Sequence, residues 1–175
     1  MFLEKLKKKA ALKSLKRVLK TSGANFNGAI PERIKSAGFI INFDEFNHTE
    51  VFKELSEQMG LKANEYKVIG FSGKGLSANN YSIPVFSEKD LGWNGNFKNG
   101  DIDEFLSRKY DLLINYYHRS PVILKLVSAR TNSAIKIGLL DENQELNDII
   151  FSIKPNLFSK FRDELIKYLK ILKRI

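Results

Sequence analysis

Apolar positions fall into two rhythms along the chain. From Phe2 to Lys20 the spacing is helical, three and four residues apart, and it predicts one long helix. Lys5, Lys9, Lys13, Lys16 and Lys20 recur at the same spacing and form a basic stripe on one side. Leu12, Leu15, Val18 and Leu19, with Ala11, gather on another side. Leu3, Leu6 and Ala10 extend that apolar arc. A breaker-rich stretch follows, from Thr21-Ser22-Gly23 to Gly28 and Pro31. It predicts a division into a helix over 1–22, a linker over 23–37 and an α/β domain over 38–175.

Beyond the linker, short continuous apolar runs alternate with helical segments. Gly38 to Phe43 reads as a strand buried on both faces. Asn47 and Glu50 have capping-box spacing ahead of a helix over 49–59, which Gly60 ends. A second strand spans 66–71, and a loop rich in Gly, Ser and Asn runs from Ser72 to Ser82. Ile83 to Phe86 predicts a short edge strand, because Pro84 cannot donate to a ladder. Asn99 or Asp101 caps a short helix through Leu106. Asp111 to Tyr116 is a central strand, and Ser120-Pro121 opens an apolar helix over 121–130. Strands over 134–139 and 148–153, joined by an acidic loop at 141–145, predict a terminal hairpin. Pro155 starts the last helix. This order implies a single three-layer, Rossmann-like α/β domain with a mostly parallel sheet of five or six strands, preceded by the basic amphipathic helix.

Composition sharpens the charge picture. The 175 residues are 43% apolar and 11% aromatic, as a globular chain should be, with formal net charge +9. Residues 1–20 hold eight basic side chains and one acidic, while residues 154–175 hold seven and two. The stretch between, 21–153, carries 14 basic and 17 acidic side chains. The basic pI of about 9.6 therefore belongs to the two ends. Packed side by side, the two terminal helices would merge into one basic patch. Lys5, Lys9, Lys13, Lys16, Arg17 and Lys20 are the candidate anion-binding residues. With one Arg among eight cations, attraction is by point charge rather than by bidentate recognition. The expected partner is RNA or a ribonucleoprotein, bound with little sequence preference, with an anionic membrane surface as the alternative.

Other chemistry is sparse. The chain has no cysteine, which removes disulfides and thiol catalysis and fits a reducing, cytoplasmic compartment. The N-terminal segment lacks the apolar core of a secretory signal. Frequent Lys, Asn and Ile suggest an AT-rich bacterial source. In an open α/β sheet, ligands bind beyond the carboxyl ends of the strands. Those ends offer Asp44 and Glu45, Ser72 and Lys74, and His118 and Arg119 as a candidate small-molecule pocket of an enzyme or sensor. Asp44 and Glu45 are adjacent, so their side chains diverge. Gly70 to Gly75 is too short between its glycines for a P-loop. His48 and His118 alone specify no metal site, and no cofactor is called for. Trp93 and Phe97, among the glycines of 92–100, form either a stacking loop for bases or sugars or, more economically, a tryptophan plug on the sheet.

The basic first helix, the strand Phe39 to Asp44, and the segment Tyr110 to Asn115 with Ala134 to Gly138 resemble an uncharacterised bacterial family, a domain of unknown function. Residues 110–138 also resemble the N-terminal half of heptosyltransferase-type glycosyltransferases, whose strand, helix and Ile-Gly-ending strand imply a Rossmann-like crossover unit. The chain departs from that pattern at Asn115 and has no second nucleotide-sugar domain.

Overall fold

The computed structural model describes residues 2–22, 31–74, 81–140 and 144–175. The elements in chain order are α1 (Phe2–Ser22), β1 (Ala37–Asn42), α2 (Glu50–Gln58), β2 (Tyr66–Phe71) and β3 (Val85–Phe86). They continue with α3 (Gly100–Ser107), β4 (Lys109–Tyr116), α4 (Val122–Arg130), β5 (Asn132–Leu139), β6 (Ile149–Phe151) and α5 (Phe158–Ile171). The six strands form one sheet in the order β3-β2-β1-β4-β5-β6. Every neighbouring pair is parallel. That order, with helices on both faces, is the Rossmann-type arrangement, and its topological switch point lies between β1 and β4.

Alternation along the central strands builds two cores. Phe39 and Ile41 of β1, and Leu112, Ile114 and Tyr116 of β4, point to one face and meet Phe52 and Leu55 of α2 and Phe158, Phe161 and Leu165 of α5. Four rings of this core, Phe46, Phe52, Tyr116 and Phe158, sit with centroids 5.1 to 6.0 Å apart. Ile40 and Leu113 point the other way and meet Ile102 and Phe105 of α3, Leu124 and Val127 of α4, and Ala11 and Leu15 of α1. The two basic ends of the chain thus lie on opposite faces of the sheet. They do not merge into one patch, because each apolar stripe pairs with a different side of β1 and β4.

Several local expectations change. The final strands are not a hairpin: β5 and β6 run parallel, with Ile137 opposite Ile149. A short 3₁₀ turn at Gln144–Leu146 carries the chain back, and Leu146 is buried in the second core. The backbone N–H of Lys136 then donates to Asp148 Oδ2 at 2.7 Å, which fixes the start of β6. The sheet is all-parallel in consequence. Thr49, not Asn47, holds the N-cap of α2, with no side-chain cap bond. Pro121, not Ser120, occupies the N-cap position of α4. Asn99 caps α3 as expected, accepting from Asp101 and Ile102 N–H. Most of the expected linker, the tip of the Ser72–Ser82 loop with Gly75, and part of the acidic loop fall outside the described residues.

Candidate functional site: the strand-end crevice and the outer face of the first helix

The switch-point crevice is built by the loops after β1 and β4. Asn42 ends β1 almost fully buried. Its amide Nδ2 donates to the Arg119 carbonyl at 3.2 Å, and its Oδ1 accepts from the Asp44 N–H. Glu45 then reaches across the crevice. Its two carboxylate oxygens accept the backbone N–H groups of His118, at 2.7 Å, and Arg119, at 2.6 Å. The Arg119 guanidinium lies mostly in solvent, with Nε 3.7 Å from the same carboxylate. At helix N-termini beyond the strands of nucleotide-binding sheets, free backbone amides cradle a phosphate. Here the protein's own carboxylate holds them.

Asp44 turns the other way, toward β2. Its Oδ2 accepts from Gly73 N–H at 2.9 Å, and its Oδ1 faces Ser72 Oγ at 3.5 Å. Asp44, Glu45, Ser72 and Lys74 share the lining of a recess of about 400 Å³, with Phe43 and Tyr81. His118 and Arg119 are not among the described residues lining it. The His118 ring is instead tied through Nδ1 to the Leu140 carbonyl. His48 stands apart on the surface, 3.6 Å from Glu50. Three of the four carboxylate oxygens of Asp44 and Glu45 each accept one backbone N–H and so hold the loops after β1, β2 and β4 together. Among the described residues, no three His, Asp or Glu side chains gather as a metal ion would require.

The outer face of α1 is the second candidate. Ala11 is fully buried and Leu15 nearly so, while Val18 and Leu19 are half-buried against the same core. Ser14 Oγ accepts from Arg130 Nη2 of α4 at 2.8 Å, and Lys8 pairs with Glu88 at 3.1 Å. The 92–97 loop clamps the other flank. Gly95, at φ +72°, lies against Ser14 and the Ala10 carbonyl, where a side chain would be both strained and crowded. Phe97, not Trp93, is the residue that plugs this loop inward, and the Arg130 guanidinium lies 5.2 Å from its ring. Trp93 is 46% exposed and carries the Lys7 ammonium 5.7 Å from its ring centre.

With that face anchored, Lys5, Lys9, Lys13, Lys16, Arg17 and Lys20 all point to solvent. None makes an ion pair among the described residues. A shallow depression along the face is bounded by Lys9, Lys13, Lys16, Leu6, Leu12 and Trp93. The expected apolar arc is only partly inward. Leu3, Leu6 and Leu12 are exposed, as is Phe2. Phe2 and Leu6 continue the lysine stripe, since positions 2, 6, 9, 13, 16 and 20 fall on one helix face. That spacing was readable in the sequence. The arrival of Trp93 beside α1 was not, because about 70 residues lie between the end of α1 and Trp93.

A family of unknown function, DUF6913, matches residues 7–172, nearly the whole chain. The chain belongs to the DUF6913 family. No curated protein matches it. The DUF6913 match spans α1 from Lys7 onward together with the whole sheet and α5, so the docked helix and the α/β body fall within one family unit. No helix among the described residues is long and apolar enough to cross a membrane.

Proposed function

We propose that this DUF6913 protein is a non-enzymatic binding protein that docks on an anionic partner through the outer face of α1. The observation that carries the reading is the set of six exposed cations, unpaired among the described residues, on a helix whose opposite face is anchored by Ala11 and Leu15. Lys8 on the flank of α1 pairs with Glu88, and Lys53, Lys67 and Arg162 have acidic partners. Lys160, Lys167 and Lys170 of α5 are exposed without an ion pair among the described residues, so what sets α1 apart is its anchored opposite face and the apolar side chains beside its lysines. A cation held without a partner on a rigid helix is free to neutralise an external anion and to release its counterions. Both partner chemistries read from the sequence, RNA phosphate and anionic lipid headgroups, meet that description. The rival, a small-molecule site at the strand ends, is disfavoured by Glu45, which occupies the amides that an anionic ligand would need.

The test is a salt series of full-length protein against single-stranded RNA and against phosphatidylserine vesicles. The comparison variant is Lys13→Gln/Lys16→Gln/Lys20→Gln, exposed changes that leave the anchored face intact. Removing α1 altogether is a poorer test, because it uncovers the core under Ala11 and Leu15. Binding to at least one partner that weakens with salt and falls in the variant is expected. Equal binding by both proteins, or none, overturns the reading.

A further inference from the structure

We propose that the anionic partner is a lipid bilayer surface, with α1 lying along it and Phe2, Leu3, Leu6 and Trp93 entering the headgroup region. The proposal rests on the reading of α1 as an anion-docking face and names its partner. Nine large apolar side chains are exposed among the described residues, and five of them lie on α1 or touch it: Phe2, Leu3, Leu6, Leu12 and Trp93. An apolar concentration of that kind on a soluble face marks a contact surface.

The arrangement along the helix decides between the two anions. The outer stripe runs Phe2, Leu6, Lys9, Lys13, Lys16, Lys20: two apolar positions, then four lysines. Leu3 sits on the Trp93 side of that stripe by helical spacing, and Phe2 and Leu3 are 73% and 55% exposed. A polynucleotide neutralises lysines and can stack its bases on Phe2 or Trp93, but it offers no apolar layer to receive the aliphatic Leu3 and Leu6. A bilayer surface offers both. Lysines settle among anionic headgroups with their stems in the apolar boundary, and tryptophan has its own preference for that interface. Lysine rather than arginine costs nothing here, because a headgroup layer asks for charge and not for bidentate geometry. The absence of an aromatic beyond Phe2 on α1 itself is made good by Trp93, which the 92–97 loop brings to the helix.

Trp93 is the only tryptophan in the chain, so its emission reports directly on the proposed contact. Full-length protein is mixed with vesicles of phosphatidylcholine alone, with vesicles containing about 30% phosphatidylserine, and with single-stranded oligoadenylate. Expected are co-sedimentation with the anionic vesicles and a blue shift of Trp93 emission on them, with neither on phosphatidylcholine. Phe2→Ser and Leu6→Ser, both exposed and outside the core, each lower vesicle partitioning about tenfold. Each of Lys13→Gln and Lys16→Gln lowers it about fivefold. Retained circular dichroism of the four variants separates lost binding from lost folding. Vesicle binding without a Trp93 shift, and insensitive to Phe2→Ser and Leu6→Ser, overturns the insertion proposal. Oligoadenylate binding without vesicle binding overturns it too, while leaving the anion-docking reading in place. Binding to neither overturns both.

Discussion

Replacing Leu15 by Ala tests whether α1 is part of the folded body. Leu15 is 7% exposed at the face that meets α4, whereas Leu12, one turn away on the same helix, is 44% exposed. The two substitutions remove the same atoms and change helix propensity equally, so their difference reads burial alone. A buried Leu→Ala change costs about 2–5 kcal/mol. At the rim of a surface helix, where neighbours can relax, the lower part of that range applies, about 2–3 kcal/mol. Leu12→Ala removes a half-solvated side chain and costs about 0.5 kcal/mol or less. For a chain of this length, Leu15→Ala lowers Tm by about 5–10 °C and Leu12→Ala by about 2 °C or less. Thermal unfolding followed by far-ultraviolet circular dichroism measures both. Equal, small shifts for the two variants would refute the docking of α1, and with it the argument that its basic face is held outward.

Three other perturbations probe the rest of the structure. Glu45→Ala strands the backbone N–H groups of His118 and Arg119 and costs about 2–4 kcal/mol, with about half of that loss in Glu45→Gln, in urea unfolding. Vesicle or RNA binding stays unchanged in both. Gly138→Ala drives a Cβ into the Asn147 amide and breaks its 2.7 Å bond with buried Asn115, for a loss of about 2–3 kcal/mol by the same assay. Burial pushes the Lys136 ammonium down to about 8, although its Nζ also donates to the Ser128 carbonyl at the end of α4. The unfolded chain then holds more protons than the folded one between about pH 8 and 10.4, so this group adds stability as pH rises through that window. Lys136→Met removes that rise. Buried Tyr110 and Tyr116, whose hydroxyls are pushed upward by burial, oppose it above about pH 10 in both proteins, so the comparison of slopes isolates Lys136.

Much of the architecture was legible because burial on both faces leaves a plain signature. β1, β2 and β4 are near-continuous apolar runs, and their expected positions agree with the observed ones within one or two residues. The helices between them carry clear apolar stripes, so a parallel sheet with crossovers followed. The direction of β6 was not legible. Its nine-residue separation from β5 suits a hairpin, and the parallel return depends on contacts far from the local pattern, the burial of Leu146 and the bond from Lys136 N–H to Asp148. The division of the molecule into two basic faces depended on which side of β1 each terminal helix meets, a pairing that no local pattern encodes.

The candidate site divides in the same way. Exposure of the basic stripe followed from helical spacing, and so did the divergence of Asp44 and Glu45. The role of Glu45 did not follow, because it requires knowing that the loops after β1 and β4 face one another. Likewise, Phe97 rather than the expected Trp93 plugs its loop inward, because α1, not the sheet, is what that loop grips.

On the proposed reading, α1 presents to lipid a surface made of lysines, Phe2, Leu6 and Trp93. The most direct measurement is the emission maximum of Trp93 in the intact protein as phosphatidylserine vesicles are added at low salt. A blue shift that saturates with lipid, and is absent with phosphatidylcholine, is the predicted result. An emission maximum that stays in place while lipid is in large excess would contradict it.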